Sequence, residues 1–175
     1  MLINLSSVLS DRHKLLDETV ELGMNGFETK AGIFPVIRKS PVHLTVEHVK
    51  GKELLIRAQT EVVISIPCDR CLKDVPEKFQ LEVTRHVDLD VSDAEVSEEL
   101  DEADFIDGYE LDVDRLIYNE ILVEWPSKVL CREECKGICS VCGQNLNEGT
   151  CDCESTGLDP RMSVVRDLFK NFKEV

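Results

Sequence analysis

Aromatic residues are scarce: they make up 5% of the 175 residues, and Trp125 is the one tryptophan. Any core must therefore be built mainly from aliphatic side chains. Long apolar runs are missing too. No stretch approaches the roughly 20 residues that a membrane-spanning helix needs, so no membrane partner is expected. The opening stretch MLINLSSVLSDRHK lacks a basic n-region, and Asn4, Ser6 and Ser7 interrupt its apolar residues. It does not read as a secretory leader, and a cytoplasmic location is the resulting expectation.

Positive charge is also in short supply, with 20 Lys/Arg against 35 Asp/Glu and a net charge of −15. The imbalance is local. Residues 86–114 hold 13 acidic groups and no Lys or Arg, while the rest of the chain is close to neutral. A broad basic face for phosphate binding is not visible. The acidic run reads as a solvated linker; the functional alternatives are a surface for a basic protein or an internal mimic of a phosphate backbone. Catalytic signatures are missing as well. There is no phosphate-binding glycine loop, no HExxH and no Ser/His/Asp grouping. His13, His43, His48 and His86 are scattered, none at a ligand-like spacing to a cysteine. No small-molecule substrate is evident.

What the chain does have is alternation. Val42, Leu44 and Val46 alternate with His43, Thr45 and Glu47. Leu54, Ile56 and Ala58, then Val62, Ile64 and Ile66, continue the period of two after the turn at KGK. Phe79, Leu81 and Val83 repeat it. Such alternation predicts antiparallel strands with one buried face. DETVEL is a further short strand, residues 1–10 a strand or an arm, and Gly23 to Gly32 a turn region. A helix is expected from Asp112 as N-cap, with Val113, Leu116, Ile117, Ile121 and Glu124/Trp125 at helical spacing and Pro126 as its stop. Asp159 followed by Pro160 opens a last helix, with Val164, Val165, Leu168, Phe169 and Phe172 as its apolar stripe. The expected class is α+β: a β-rich body over 1–91, an acidic linker over 92–110, and a helix, cysteine-rich zinc module and C-terminal helix over 111–175. The body and the module are expected to form one cooperative unit.

The eight cysteines fall into four pairs: Cys68/Cys71, Cys131/Cys135, Cys139/Cys142 and Cys151/Cys153. In a reducing compartment a disulfide framework is improbable, and the pairs read as metal ligands. Zinc favours four thiolates in a closed tetrahedral site, and two such sites use all eight residues. The compact solution joins Cys139/Cys142 with Cys151/Cys153 across GQNLNEGT. Cys131/Cys135 then meet Cys68/Cys71, which lie in a connection bracketed by Pro67 and Pro76, two residues expected to oppose continuation of the ladder. The reverse pairing, a single site with spare cysteines, an iron–sulfur centre and a redox role for Cys68-Asp69-Arg70-Cys71 remain open at this point. Arg70, Arg132 and Lys136 beside the ligands either offset thiolate charge or contact RNA phosphate.

CDRCL after β-strands, then LDVDRLIYNEILVEWP, LCREECKGICSVCGQNLNEGTCDC and DPRMSVVRDLF, together resemble the YceD-like family of large ribosomal RNA subunit accumulation proteins. The resemblance is sharp over residues 66–72 and 111–169. Glu124-Trp125-Pro126 departs from the small or apolar pair expected before the proline, which bears on helix packing. The resemblance implies a non-enzymatic role in accumulation of large-subunit (23S-type) ribosomal RNA. The implied partner is a pre-50S-type particle, its rRNA or a basic ribosomal protein. The residues alone leave room for a zinc-stabilised RNA-processing or redox enzyme, or for a zinc-stapled binding adaptor.

Overall fold

The structure, a computed structural model, describes residues 1–10, 15–49, 53–88 and 104–153. The expected helix after Asp159 and most of the acidic run lie outside the described residues.

The fold is mostly antiparallel sheet, and its spine is one long strand. Strand β6 (Glu53–Pro67) carries the alternation seen in the sequence, with Leu54, Ile56, Ala58, Val62, Ile64 and Ile66 buried. Along one edge it pairs with β7 (Asp74–Asp88) over its whole length, from Glu53↔Asp88 to Pro67↔Asp74. Along its other edge it serves two strands in turn. Its first half pairs with β5 (Val42–His48), its second half with β4 (Gly32–Lys39). The handover occurs at the β4–β5 connection, where Ser40 N donates to Glu61 O at 2.8 Å and Thr60 Oγ1 donates to Ser40 O at 2.9 Å. Strands β2 (Leu15–Val20) and β3 (Gly26–Thr29) extend the sheet beyond β5 and β4 respectively.

Three details depart from the sequence reading. The glycine-containing region Gly23–Gly32 is not only a turn: it contains β3 and the start of β4. Exposed Ile33 and Ile37, together with a register shift between Val36 and Arg38, hide the period of two there. Pro76 does not end the ladder, because it sits opposite Ser65 within β7. Among the described residues β7 pairs with β6 alone, and an edge strand tolerates proline where the missing N–H would face away from the sheet. Finally, part of the stretch read as an acidic linker is folded. Strands β8 (Ile106–Asp107) and β9 (Glu110–Asp112) form a hairpin about Gly108 at φ +58°, with Phe105 and Leu111 buried.

The hairpin β8–β9 pairs with β1 (Leu2–Asn4), which leads through Leu5 into the short helix α1 (Ser6–Ser10). It also delivers the chain into helix α2 (Val113–Val123), where Asp112 caps the first turn by accepting from Arg115 N at 3.3 Å. Asp114, beside it, accepts from Gly23 N at 2.8 Å and ties the helix start to the β2–β3 connection. Val113, Leu116, Ile117 and Ile121 are buried from this helix. Each such side chain contributes roughly 2 kcal/mol through burial. Arg85 Nη2 of β7 meets Glu120 Oε2 at 2.8 Å and sets how α2 lies on the sheet.

The few aromatics are concentrated where α2 ends. Trp125 stacks on Phe27 with ring centroids 5.0 Å apart, and lies 5.2 Å from Phe34 and 5.9 Å from Phe79. Tyr118 joins the group at 4.8 Å from Phe27, and its hydroxyl donates to Glu28 O at 2.7 Å. The tryptophan before Pro126 thus ties the helix end to β3, β4 and β7. Trp125→Ala is expected to lower stability by about 3 kcal/mol, read as a shifted urea midpoint in far-UV circular dichroism. Trp125→Phe should cost less than half of that, and equal losses for the two would show that ring stacking is not what holds the helix end.

Candidate metal centre

Both cysteine clusters grow out of turns. The β6–β7 connection is a tight loop: Cys68 N donates to Lys73 O at 2.8 Å and Leu72 N donates to Cys68 O at 2.9 Å. This curls Cys68 and Cys71 to one side. Leu72 takes φ +60°, the left-handed conformation that glycine normally supplies. In the second cluster Gly143 holds the equivalent place after Cys142, at φ +75°, and Gly143 N donates to Cys139 O at 2.9 Å. The two CxxC turns are therefore built alike, with leucine in one where the other has glycine.

Two hydrogen bonds, one backbone–backbone and one to the Asp69 carboxylate, bring the chain after α2 onto the first turn. Asp69 N donates to Val129 O at 2.9 Å, and Val129 N donates to Asp69 Oδ2 at 2.8 Å. Two residues later Cys131 reaches Cys71, with sulfurs 3.5 Å apart, and Cys135 reaches Cys68 at 3.8 Å. Arg70 spans the same junction, its Nη1 donating to Cys135 O at 2.8 Å. Gly137 at φ +78° packs so closely that a Cβ there would sit 3.1 Å from Arg70 O.

The cysteines form two groups that can hold metal ions: Cys68, Cys71, Cys131 and Cys135, and Cys139, Cys142, Cys151 and Cys153. Within each group all sulfurs lie within 4.8 Å of one another. This is the compact pairing expected from the spacing, not the reverse one. In the first group Cys68, Cys71 and Cys135 are buried; the second is more open, with Cys142 exposed. A disulfide would bring two sulfurs to about 2.05 Å, and all eight thiols are free. Among the described residues no histidine or carboxylate joins either group.

Electrostatics within each group are strained. Burial opposes the Cys68 thiolate, but backbone N–H groups of Cys131, Arg70 and Cys71 outweigh it and bring the pKa down to about 6. The N–H groups of Cys142 and Val141, with the Cys151 thiol, bring Cys139 to about 6 as well. At the other extreme the Cys71 thiol, burial and the neighbouring sulfurs push Cys131 up to about 12. Its hydrogen bond with Cys142, then burial and nearby thiolate charge, push Cys153 up to about 12. Each group accepts a first negative charge easily and resists the last. A bound cation removes that conflict, which is how metal sites couple to proton release.

The profile of the family described as "Large ribosomal RNA subunit accumulation protein YceD" matches residues 56–169. That span takes in both cysteine groups. The chain belongs to the YceD family. Among curated relatives, "Uncharacterized protein YlbN" of Bacillus subtilis (strain 168) is 26% identical over 165 residues, covering 90% of this chain and 89% of that protein. "Large ribosomal RNA subunit accumulation protein YCED homolog 1, chloroplastic" of Arabidopsis thaliana is 29% identical over 141 residues. The alignment covers 65% of this chain but 44% of the Arabidopsis protein. No solved structure matches the chain.

Within this YceD chain, Cys68 and Cys71 lie in a β-hairpin turn and not at a helix start, the place a CxxC redox motif occupies. Arg70 and Arg132 both turn inward to the junction, Arg70 to the Cys135 carbonyl and Arg132 Nη2 to Asn147 Oδ1 at 2.6 Å. The sequence reading gives no role to Asp69 or Gly137, and takes Asn147 only as suiting a tight loop. Their signals were present: an aspartate between two ligands, a glycine two residues after Cys135, and an asparagine pair inside a ligand loop. Gly137→Ala is expected to cost more stability than Gly143→Ala. Both pay the left-handed penalty of about 1 kcal/mol, but only the first meets a carbonyl; nothing lies within 4 Å of a Cβ at Gly143. Thermal melts of the two variants check the order.

Proposed function

We propose that this chain is a non-enzymatic ribosome-biogenesis factor that supports accumulation of 23S-type rRNA in the cytoplasm. It acts by binding an immature large subunit or one of its basic proteins. The observation that carries the reading is the family match across both cysteine groups. The Arabidopsis relative, whose name refers to large ribosomal RNA subunit accumulation, supports it.

The eight cysteines are zinc ligands in this reading, four to each ion. Four sulfurs around a tetrahedral zinc at about 2.3 Å stand about 3.8 Å apart. The Cys68–Cys135 and Cys71–Cys131 separations of 3.8 and 3.5 Å fit that figure. Four-cysteine sites are closed and leave no open position for hydrolytic chemistry. Buried thiols in a hairpin turn likewise speak for structure over redox exchange. The β-rich body over 1–91 and the module over 111–175 form one cooperative unit through the first site, with the acidic stretch 92–110 between them as a contact for basic protein.

Metal content, proton release, depletion in cells and binding after deletion test this. Metal analysis of the purified chain should give about two zinc per chain. Uptake by the metal-free chain near pH 7 should release protons, because Cys131 and Cys153 hold theirs to about 12. A folded chain with free thiols and no metal uptake would sink the zinc reading. Depleting the protein in cells should lower 23S-type relative to small-subunit rRNA and cause immature large-subunit particles to accumulate in sucrose gradients. Unchanged gradients would overturn the biogenesis role. Salt-sensitive binding to a basic ribosomal protein that survives deletion of residues 92–107 would remove the acidic segment from the mechanism.

A further inference from the structure

Asn147 belongs by sequence to the second cysteine group and by contact to the first. It lies in the loop between Cys142 and Cys151, whose ends close the second group. Yet its Nδ2 donates to Cys135 Sγ, of the first group, at 3.2 Å. Its Oδ1 accepts Lys136 N at 2.8 Å and the Arg132 guanidinium at 2.6 Å. Arg132 and Lys136 each follow directly on a ligand of the first group, Cys131 and Cys135. One amide thus fixes one sulfur and the chain beside two ligands.

The loop arrives there by a route that depends on the second group. Cys139 N donates to Gln144 O at 2.8 Å and Leu146 N donates to Gly137 O at 2.9 Å, with Ile138 bridged to Asn145. Asn145 in turn holds Asn147 in place: its Oδ1 accepts from Asn147 N at 3.0 Å and from Asn147 Nδ2 at 2.8 Å. Asn145 Nδ2 donates to Glu148 Oε1 at 3.2 Å. A cleft of about 280 Å³ opens beside Asn145, Asn147, Lys73 and Arg132. The two amides facing it are engaged within the protein, which gives them an internal role before any ligand-reading one.

We propose that Asn147 couples the two cysteine groups, so that closure of the second group by metal assembles the outer shell of the first and the two fill cooperatively. Asn147 is a positioning residue for Cys135. It acts by donating to the sulfur, which orients it, as outer-shell partners of metal ligands do. Coupling of this kind is reciprocal, so a filled first group equally favours the second. The proposal rests on the reading of both groups as metal sites.

The test uses the full metal-free chain, cadmium as the probe, and native mass spectrometry to count bound ions. The wild type should pass from no metal to two with little one-metal species. Asn147→Asp keeps an oxygen acceptor for Arg132 and Lys136 N but places a carboxylate against Cys135. It should accumulate a one-metal species in which Cys68, Cys71, Cys131 and Cys135 are alkylated while Cys139, Cys142, Cys151 and Cys153 are protected. First-group affinity should fall roughly 10- to 100-fold. With cobalt as the probe, the sulfur-to-metal charge-transfer band of the first group should shift, a change that general loosening of the loop would not give. A Cys139→Ser/Cys142→Ser chain, with its fold checked by Trp125 fluorescence, should show the same weakening of the first group. Two ions bound in the statistical pattern of independent sites, or unchanged first-group affinity in both variants, would overturn the coupling while leaving the metal reading intact. No metal bound by the wild type would overturn both.

Discussion

Four sulfurs, from Cys68, Cys71, Cys131 and Cys135, converge from two distant parts of the chain. Among the described residues the segment after α2 has little regular structure of its own: its pairing is the single bridge Ile138↔Asn145, and Val141 remains 68% exposed. Where it meets the sheet, Val129 joins the main core, and a small satellite cluster of the cysteines with Leu130 adjoins that core through Val75. On the proposed zinc reading, a metal cross-link spans the 60-residue separation of Cys71 and Cys131. Closing a loop of that size is worth about 4 kcal/mol in the chain-entropy account used for cross-links.

The cross-link can form only because the fold has already brought its halves together. The long β6–β7 ladder puts the CxxC turn at one end of the sheet. The aromatic group around Trp125 fixes the end of α2, and Pro126 turns the chain out of the helix. Asp69 and Val129 then exchange hydrogen bonds and leave Cys131 opposite Cys71. Each step is local: aliphatic alternation makes the sheet, stacking places the helix end, and the Asp69–Val129 pair leaves the sulfurs facing one another. The first group is consequently the more buried one, and its thiolates are the more costly to leave uncompensated.

Much of this was legible in the sequence, for identifiable reasons. Alternation in β5, β6 and β7 was readable because Val42 to Val46, Leu54 to Ile66 and Phe79 to Val83 bury one face cleanly. The helix was readable from Asp112 and Pro126, and the cysteine grouping from loop length alone. The hairpin β3–β4 was not, because one of its faces exposes Ile33 and Ile37 and a bulge breaks the period. Strands β8 and β9 were masked by acidic neighbours, although Phe105 and Leu111 are buried there. Pro76 misled because its meaning depends on whether the strand is at an edge, a tertiary fact. Asn147 was legible only as a residue suited to a tight loop; its contact with Cys135 joins two loops, and no one-dimensional spacing reports that.

Charge around the cysteine groups bears on what the surface can recognise. On the proposed zinc reading, each four-thiolate site carries two formal negative charges, added to a chain already at −15. The cations nearest the ligands are committed elsewhere. Arg70 is held by the Cys135 carbonyl and Arg132 by Asn147, so neither guanidinium is free to clamp a phosphate in the bidentate manner that makes arginine effective there. Lys73 and Lys136 lie among the same turns, but so do Asp69, Asp74, Glu133, Glu134 and Glu148, so the described residues form no basic stripe there. On the proposed function, a net-negative surface of this kind favours a cationic protein segment over bare rRNA as the contact.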